Sequence, residues 1–579
     1  MPHASPCLLR WFETRMSAAR PVIGGTFTTC HRSLAAVGHD KYSVQQVSTC
    51  TVIGTYIGVP RREFARDDTV FFAPQDASPI DNPHPHPSQS PCPCPRVKSL
   101  PSRPMADPFV PNSPASPRPS RAGIVIFSGG SAANSLVDVF DRVRKANGAS
   151  LSYVMPISDN GGSTSEIIRV FGGPGIGDVR SRLVRLIPDD DDAETVAIKH
   201  FFNHRLPQAH DEARAEWFRI LEATHPLWTD ISSPKRELIR SHLNSFHLEA
   251  VKRMRPTSRF DFSQASIGNL FLTGARLFTG SFEAAIYLLS SLCAVPVRVA
   301  VLPALNTNFA HHIAAGLEDG SVITGQNDIS HPSAPTAAVP GTGTGAHTPA
   351  PSVGHDTEEH DRIEDANLPG SLPALRRPAI VFSKEEEEDL AARIDRIWYI
   401  NPYGQEIRIP ANPRVLDAVA GAGTVIYSIG SLFTSLVPNL VLKGVGEAVA
   451  SPLIRNKILV LNGTTDRETG PAHRPFTGLD FVAAIANACA DSRGVPRPTE
   501  DEYCLYVTHV IHLEGPAAPQ VDKQRLARLG IDSTRLYGPR DALGRGGRYD
   551  ANALGQTLEY IVGCKDARAS RSRRNTLEH

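Results

Sequence analysis

Two neighbouring glycine-rich turns carry acids and run directly into helical spacing: Asp159-Asn160-Gly161-Gly162-Ser163 and Gly177-Asp178-Val179-Arg180. Neither holds the lysine of a phosphate loop, so the positive field an anion needs must come from helix starts and from arginine. Paired glycines let backbone N–H groups approach a phosphate or a sugar. Asp159 ends a predicted strand and has the oxygens to hold a ribose hydroxyl, a magnesium ion or a reacting hydroxyl. Ser163 with Glu166 three residues on has capping-box spacing and predicts a helix start, although a capped turn carrying a carboxylate would look the same. In the second turn Asp178 is placed to cap a helix, and Arg180 then falls in the first turn. Positive charge there opposes the helix dipole by about 0.3–1 kcal/mol, which points to a carboxylate or phosphate beside it. Val179, Leu183, Leu186 and Ile187 share one helical face, which directs Arg180 and Arg182 elsewhere.

Three further loops have similar chemistry: Ser128-Gly129-Gly130-Ser131, Ile267-Gly268-Asn269-Leu270 and Gly430-Ser431-Leu432, with Asn462 joining them by position at the end of KILVLN. Taken singly, each also reads as a tight turn, a helix cap or a strand exit. Ala132 and Ala133 stand where a dinucleotide fingerprint would place later glycines, which counts against an NAD-dependent oxidoreductase. No Gly-x-Ser-x-Gly elbow and no Walker lysine occur, against an α/β-hydrolase and a P-loop enzyme. His509 and His512 fall on opposite faces of a strand, and Phe201 and Phe202 beside His204-Arg205 favour packing there.

The elements that must position these loops follow a strand-then-helix grammar. GIVIFSGGS from Gly123, LSYVMPIS, VPVRVAVLP, TVIYSIGSLFTS and KILVLNGTT are apolar runs without polar alternation, as in strands buried on both faces. Helical spacing follows the first at Leu136, Val137, Phe140 and Val143. This predicts an open, mostly parallel α/β sheet with helices on both faces, whose ligand lies beyond the carboxyl ends of the strands. Charged amphipathic segments over about 188–262 predict a helical insertion. LEDGSVITGQNDI reads as a hairpin around Asp319 and Gly320, and strand character returns at RIDRIWYINP.

The chain has 579 residues and a formal net charge of +0, with basic residues concentrated only in the ARASRSRRN tail, so nucleic acid is not implied as a partner. Prolines recur from Ala73 to Arg121, and a second low-complexity stretch runs from Ser330 to Glu388; neither buries enough apolar surface to offset ordering entropy. The expected organisation is a disordered extension over 1–120, one α/β domain over 121–565 with a disordered insertion at about 330–390, and a basic tail over 566–579. Of the nine cysteines, five lie in the first hundred residues and the rest show no CxxC spacing, as expected of reduced thiols. No run of eighteen apolar residues exists, so no membrane partner is expected. A cytoplasmic location is expected; Arg10, Arg15, Arg20 and Arg32 make a mitochondrial presequence the alternative, and Met105 is an alternative start.

In order, SGGS, DNGGSTSEI, GGPGIGDVRSRL, SIGNL, FEAAI, LEDGSVITGQ, NPRVLDAV, IGSLFTSLVPNL and the strand ending at Asn462 resemble the CofD-like family. That family joins 2-phospho-L-lactate transferases with gluconeogenesis factor (YvcK-type) proteins. The resemblance implies a Rossmann-like three-layer core and a protein that binds a nucleotide diphosphate-linked small molecule, with magnesium as its cofactor, and forms a homodimer. Transferase members move a phospholactyl group to a deazaflavin hydroxyl with release of GMP; regulatory members bind a nucleotide sugar. By resemblance, Gly129, Gly130, Ser131, Gly268 and Asn269 hold the nucleotide, and the loops of Asp159, Asn160, Gly161, Gly162, Ser163, Asp178 and Arg180 meet the phosphates or the acceptor. Gly430, Ser431 and Asn462 complete the set, and Asp159 and Asp178 are the candidate magnesium ligands. The regulatory branch commonly has two acids before the glycine pair; here the second is Asn160, which lowers the charge available to a hard cation.

Overall fold

The computed structural model describes residues 123–130, 132–158, 161–188, 192–255, 259–331, 372, 375, 389–539 and 547–563, all in the compact unit Phe109–His579. Ser131, Asp159 and Asn160, the extension over 1–120, the 330–390 insertion apart from 330, 331, 372, 375 and 389–390, and the tail lie outside the described residues.

Seven strands build one parallel sheet: β1 (Gly123–Phe127), β2 (Leu151–Met155), β3 (Val299–Pro303), β8 (Ala422–Tyr427), β9 (Asn456–Val460), β10 (His509–Leu513) and β11 (Asp532–Leu536). Their order is β11-β10-β9-β8-β1-β2-β3, and every neighbouring pair is parallel. All six residues of β8 are buried, so both faces of the sheet are covered, which is why these strands read as unbroken apolar runs. Winding proceeds outward in both directions from the β1/β8 pair. The loops after those two strands therefore diverge and leave a crevice at the switch point.

The second sheet is antiparallel, β5-β4-β6-β7, built from β4 (His312–Leu317), β5 (Val322–Thr324), β6 (Ile394–Ile400) and β7 (Glu406–Ile407). The β4–β5 hairpin turns at Asp319-Gly320, where Asp319 Oδ1 accepts from the Ser321 N–H and Gly320 adopts φ +88°. The strand in RIDRIWYINP is β6; it pairs with β4, Ile313 opposite Tyr399, and not with the parallel sheet.

Helix α1 (Val137–Ala146) buries Val139, Phe140 and Val143. Helices α2 (Ser163–Phe171) and α3 (Gly177–Arg185) follow the two glycine turns. The helical insertion consists of α4 (Ala193–Asn203), α5 (His210–Leu221) and α6 (Ser233–Arg253), and it leads to α7 (Ile267–Thr279) and α8 (Phe282–Leu292). An aromatic cluster joins it to α2: Phe246 lies 5.0 Å from Phe171, 5.7 Å from Trp217 and 5.3 Å from Phe260, centroid to centroid. Gly274 lets α7 approach α6 closely, since a Cβ there would stand 2.0 Å from the His242 carbonyl oxygen. Gly274→Ala is expected to cost about 1–3 kcal/mol by forcing the helices apart, read as a lower denaturation midpoint; an unchanged midpoint would mean that the helices separate freely.

Among the described residues, no helix is long and apolar enough to cross a membrane. Cys293, Cys489 and Cys504 are free, and burial pushes the first two thiols up to about 12.

Candidate functional site

The strand-end loops surround a cavity of about 600 Å³. Its wall includes Gly129 and Gly130 after β1, Gly161 to Thr164 after β2, Gly430, Ser431, Thr434 and Ser435 after β8, and Asp466 to Glu468 after β9. Asp178 and Arg180 of α3 and Asn269 of α7 also line it, although these helices follow α2 and α6 and not strands.

The first glycine turn is shaped by protein neighbours as much as by any ligand. A Cβ on Gly129 would stand 2.1 Å from Ser435 Oγ, and one on Gly130 would stand 2.1 Å from Asp178 Oδ1. Glycine at both positions lets this loop lie against the starts of two helices.

Two capping expectations are corrected. Gly162, at φ +57°, occupies the N-cap of α2, so Ser163 is already inside the helix and no capping box forms. Glu166 turns instead to Arg169 (2.6 and 2.7 Å) and to the Asp261 N–H (2.8 Å), tying α2 to the insertion. Helix α3 begins at Gly177 with Ile176 at its N-cap, so Asp178 is a first-turn residue facing the cavity and not the cap.

Arg180 is 9% exposed, and burial together with the Arg205 charge lowers its guanidinium to about 10, still ionised at neutral pH. Its Nε donates to Asn269 Oδ1 (3.2 Å), while Asn269 Nδ2 donates to Ser163 Oγ (3.1 Å). Asn269 is therefore a first-turn link between α7, α2 and α3; the capping role is filled by position Ser266. Gly268 is absent from the cavity wall. Its bare Cα accommodates the Arg180 stem, whose Cγ and Cδ would lie 2.8 Å from an added Cβ.

Asn462 likewise holds a loop and does not line the cavity: its Oδ1 accepts from the Gly430 N–H and its Nδ2 donates to the Gly430 carbonyl, both at 2.9 Å. Beside it, the fully buried Glu468 accepts from the N–H groups of Phe433 (2.9 Å) and Thr434 (3.0 Å) and from Thr434 Oγ1 (2.5 Å). This carboxylate occupies the start of the turn Leu432–Leu436, so that helix end is satisfied internally. Burial, reinforced by the Asp466 charge, raises the Glu468 carboxyl well above the ordinary carboxylate range. Asp466 caps the turn Arg467–Thr469 through the Thr469 N–H (3.1 Å) and hydroxyl (2.8 Å). With these acids committed, the arginines of the wall are Arg180, the exposed Arg205 and Arg467, whose Nε donates to the Ile329 carbonyl (3.1 Å), and Asp178 lies on the same wall.

Sequence reasoning missed Arg205, Gln264, Gln326, Asn327, His331, Thr434, Ser435 and the Asp466-Arg467-Glu468 segment. The strand-end rule reaches the last five, which follow β8 and β9. Arg205 and Gln264 arrive through the insertion, and Gln326 through helix α9 (Gln326–Ser330), where it accepts from Ser158 Oγ at 2.8 Å. His204, by contrast, faces Glu216 of α5. Of the three arginines of α3, Arg182 departs from expectation: it is completely buried, on the same face as Val179, Leu183 and Leu186.

Residues 124–533 match the family model described as 2-phospho-L-lactate transferase CofD. The chain is 40% identical over 412 residues to the uncharacterized protein YNL011C of Saccharomyces cerevisiae, covering 68% of this chain and 90% of that protein. It is 22% identical over 421 residues to a gluconeogenesis factor of Bacillus subtilis, covering 71% and 89%. A crystal structure of a UPF0052 family member from Bacillus halodurans is 19% identical, covering 75% of this chain and 98% of that one, with a TM-score of 0.45.

Proposed function

The chain belongs to the CofD family, and from that premise we propose that it binds a nucleotide diphosphate-linked compound at the switch-point cavity and transfers a phospho-group from it to a hydroxyl acceptor. The observation that carries this reading is Arg180. Its stem is buried and its Nε is held by Asn269, so its two terminal amino groups are pre-oriented for an anion at the cavity. The acceptor O–P bond forms as the phosphoanhydride bond to the departing nucleoside monophosphate breaks, and the hydroxyl proton passes to a carboxylate or to solvent. Such a displacement needs charge neutralisation and alignment more than covalent help. Arg180 and Arg205 neutralise the phosphates, and Asp178 orients the acceptor, with Asp159 and Asn160 as partners outside the described residues.

Magnesium usually takes one or two carboxylates plus substrate phosphates. Among the described residues no cluster of three acids, histidines or cysteines has metal-binding geometry, and Asp466 and Glu468 are committed to capping. Asp178 on the cavity wall fits the one-carboxylate mode, so it would hold the ion against the ligand phosphates, where the ion would neutralise charge.

A second reading, a nucleotide-sugar-binding regulator of carbon metabolism without turnover, is favoured by relatives named gluconeogenesis factor and by Asn160 beside the glycine pair. Thermal shift and nucleoside monophosphate release are measured together on the purified chain with GDP- and UDP-linked ligands, magnesium and a deazaflavin alcohol as hydroxyl acceptor. Stabilisation with GMP or UMP release is expected. Stabilisation without release selects the regulator, and no stabilisation by any nucleotide removes both readings.

A further inference from the structure

We infer that Arg182, which does not line the cavity, is a positioning residue for the anion of the ligand: it holds the first glycine turn from behind and places a fixed buried cation next to it. This rests on the nucleotide-binding reading above. The side chain has no exposed surface. One terminal nitrogen donates to the Ala133 carbonyl (3.3 Å), and the other donates to the Gly129 carbonyl and Ser128 Oγ (both 3.4 Å). These bonds are long, and Nε has no partner. Among the described residues no carboxylate pairs with it; its guanidinium carbon lies 4.7 Å from the centre of the Tyr153 ring.

A buried cation whose direct contacts are long and neutral, offset at longer range by the Asp178 charge, retains much of its field, because little solvent screens it. Gly129, whose carbonyl it grips, is a residue of the cavity wall, so the charge sits behind that wall. The acid nearest in sequence is the cavity residue Asp178, one turn earlier on α3. The peptide geometry gives the second effect. In a planar trans peptide the N–H points opposite to the C=O. Turning the Gly129 carbonyl inward to Arg182 therefore turns the Gly130 N–H outward, and the Ala133 carbonyl does the same for the Asn134 N–H. The sequence GDVRSRL thus supplies two cations with different tasks: Arg180 contacts the anion, and Arg182 aims the backbone that meets it.

The test uses the full chain with Arg182→Met and Arg182→Lys, titrated calorimetrically with GDP and with guanosine as the uncharged comparator. Arg182→Met is expected to weaken GDP binding at least tenfold and guanosine binding less than twofold. Arg182→Lys keeps the charge but cannot span two carbonyls, and an intermediate loss of about threefold or more is expected for GDP alone. A folded Arg182→Met protein that binds GDP within twofold of the parent overturns the inference, as does an equal loss for GDP and guanosine. If Arg182→Met does not fold, the GDP-to-guanosine split of Arg182→Lys decides by the same criteria. If the parent binds neither compound, the nucleotide reading fails by itself. Inorganic pyrophosphate is then the probe, and equal affinity of parent and Arg182→Lys for it overturns the role assigned to Arg182.

Discussion

Replacing Arg180 by methionine is expected to lower the affinity for GDP by about 100-fold or more while the protein keeps its fold. Truncating one partner of a buried, hydrogen-bonded charge pair costs about 2–5 kcal/mol, or roughly 30-fold to several thousand-fold in affinity. Arg180 falls in that class because its stem is enclosed by Gly268 and its Nε is held by Asn269. Little of the effect should appear in stability. Burial already disfavours the charge, as the lowering to about 10 records, so the empty protein loses one hydrogen bond and sheds an unfavourable desolvation. Methionine fills the space of the stem, and Asn269 keeps its bond to Ser163. The pH dependence has a definite sign. Arg180 is charged below about 10, so its contribution to anion binding is flat from pH 6 to 9 and is lost as pH rises through that value. Calorimetric titration reads the affinity and thermal denaturation the fold; a folded variant within threefold of the parent would remove Arg180 from the site.

Glu468 carries the second large effect, and it is one of stability. Glu468→Ala leaves the Phe433 and Thr434 N–H groups and the Thr434 hydroxyl inside the protein without their acceptor. At about 1–3 kcal/mol for each buried unsatisfied group, partly relieved by relaxation, a loss of about 3–5 kcal/mol is expected in chemical denaturation. Glu468→Gln is expected to be far milder, since its amide oxygen can accept the two N–H bonds while its NH2 donates to Thr434 Oγ1. The two forms differ in pH response. A carboxyl raised in the folded state binds its proton more tightly there than when unfolded, so its contribution is fully present below about 4.5. That contribution falls as pH rises toward about 8. The stability of Glu468→Gln relative to the parent should therefore improve steadily from pH 5 to pH 8. A constant difference across that range would show that the carboxyl is ionised throughout. A Glu468→Ala protein as stable as the parent would show that the Leu432–Leu436 turn needs no internal acceptor.

Both residues show what could be read from the chain and what could not. Arg180 was legible because a cation in a first helical turn next to glycines is locally unfavourable and so asks for an anion. Glu468 carries no such local signal: TTDRETG reads as an ordinary polar loop, and only the pairing of β8 with β9 brings it against Phe433 and Thr434. Arg182 shows a third case. Its i+3 distance from Val179 places it on the buried face, yet an arginine among apolar neighbours reads as solvent-facing until the β1 loop is seen to lie over it. The glycines stand out in the sequence as places where a ligand could approach the backbone, and the structure gives them a packing reason: Gly129, Gly130 and Gly268 make room for Ser435, Asp178 and Arg180.

What the sequence determined by itself is the parallel α/β class and the loops at which a ligand would gather. Strands buried on both faces must be continuously apolar, and a strand entering a helix needs small or capping residues at the junction. Both are local requirements, written within a few residues. The tertiary structure alone decided which loops share one cavity, and that the winding reverses between β1 and β8. It also brought Arg205 and Gln264 in from the insertion, and it committed Asp466 and Glu468 to capping while leaving Arg180 turned to the cavity. Those outcomes depend on contacts between residues far apart along the chain. A carboxylate in a loop has the same composition whether its oxygens are spent on a neighbouring helix or presented to a ligand.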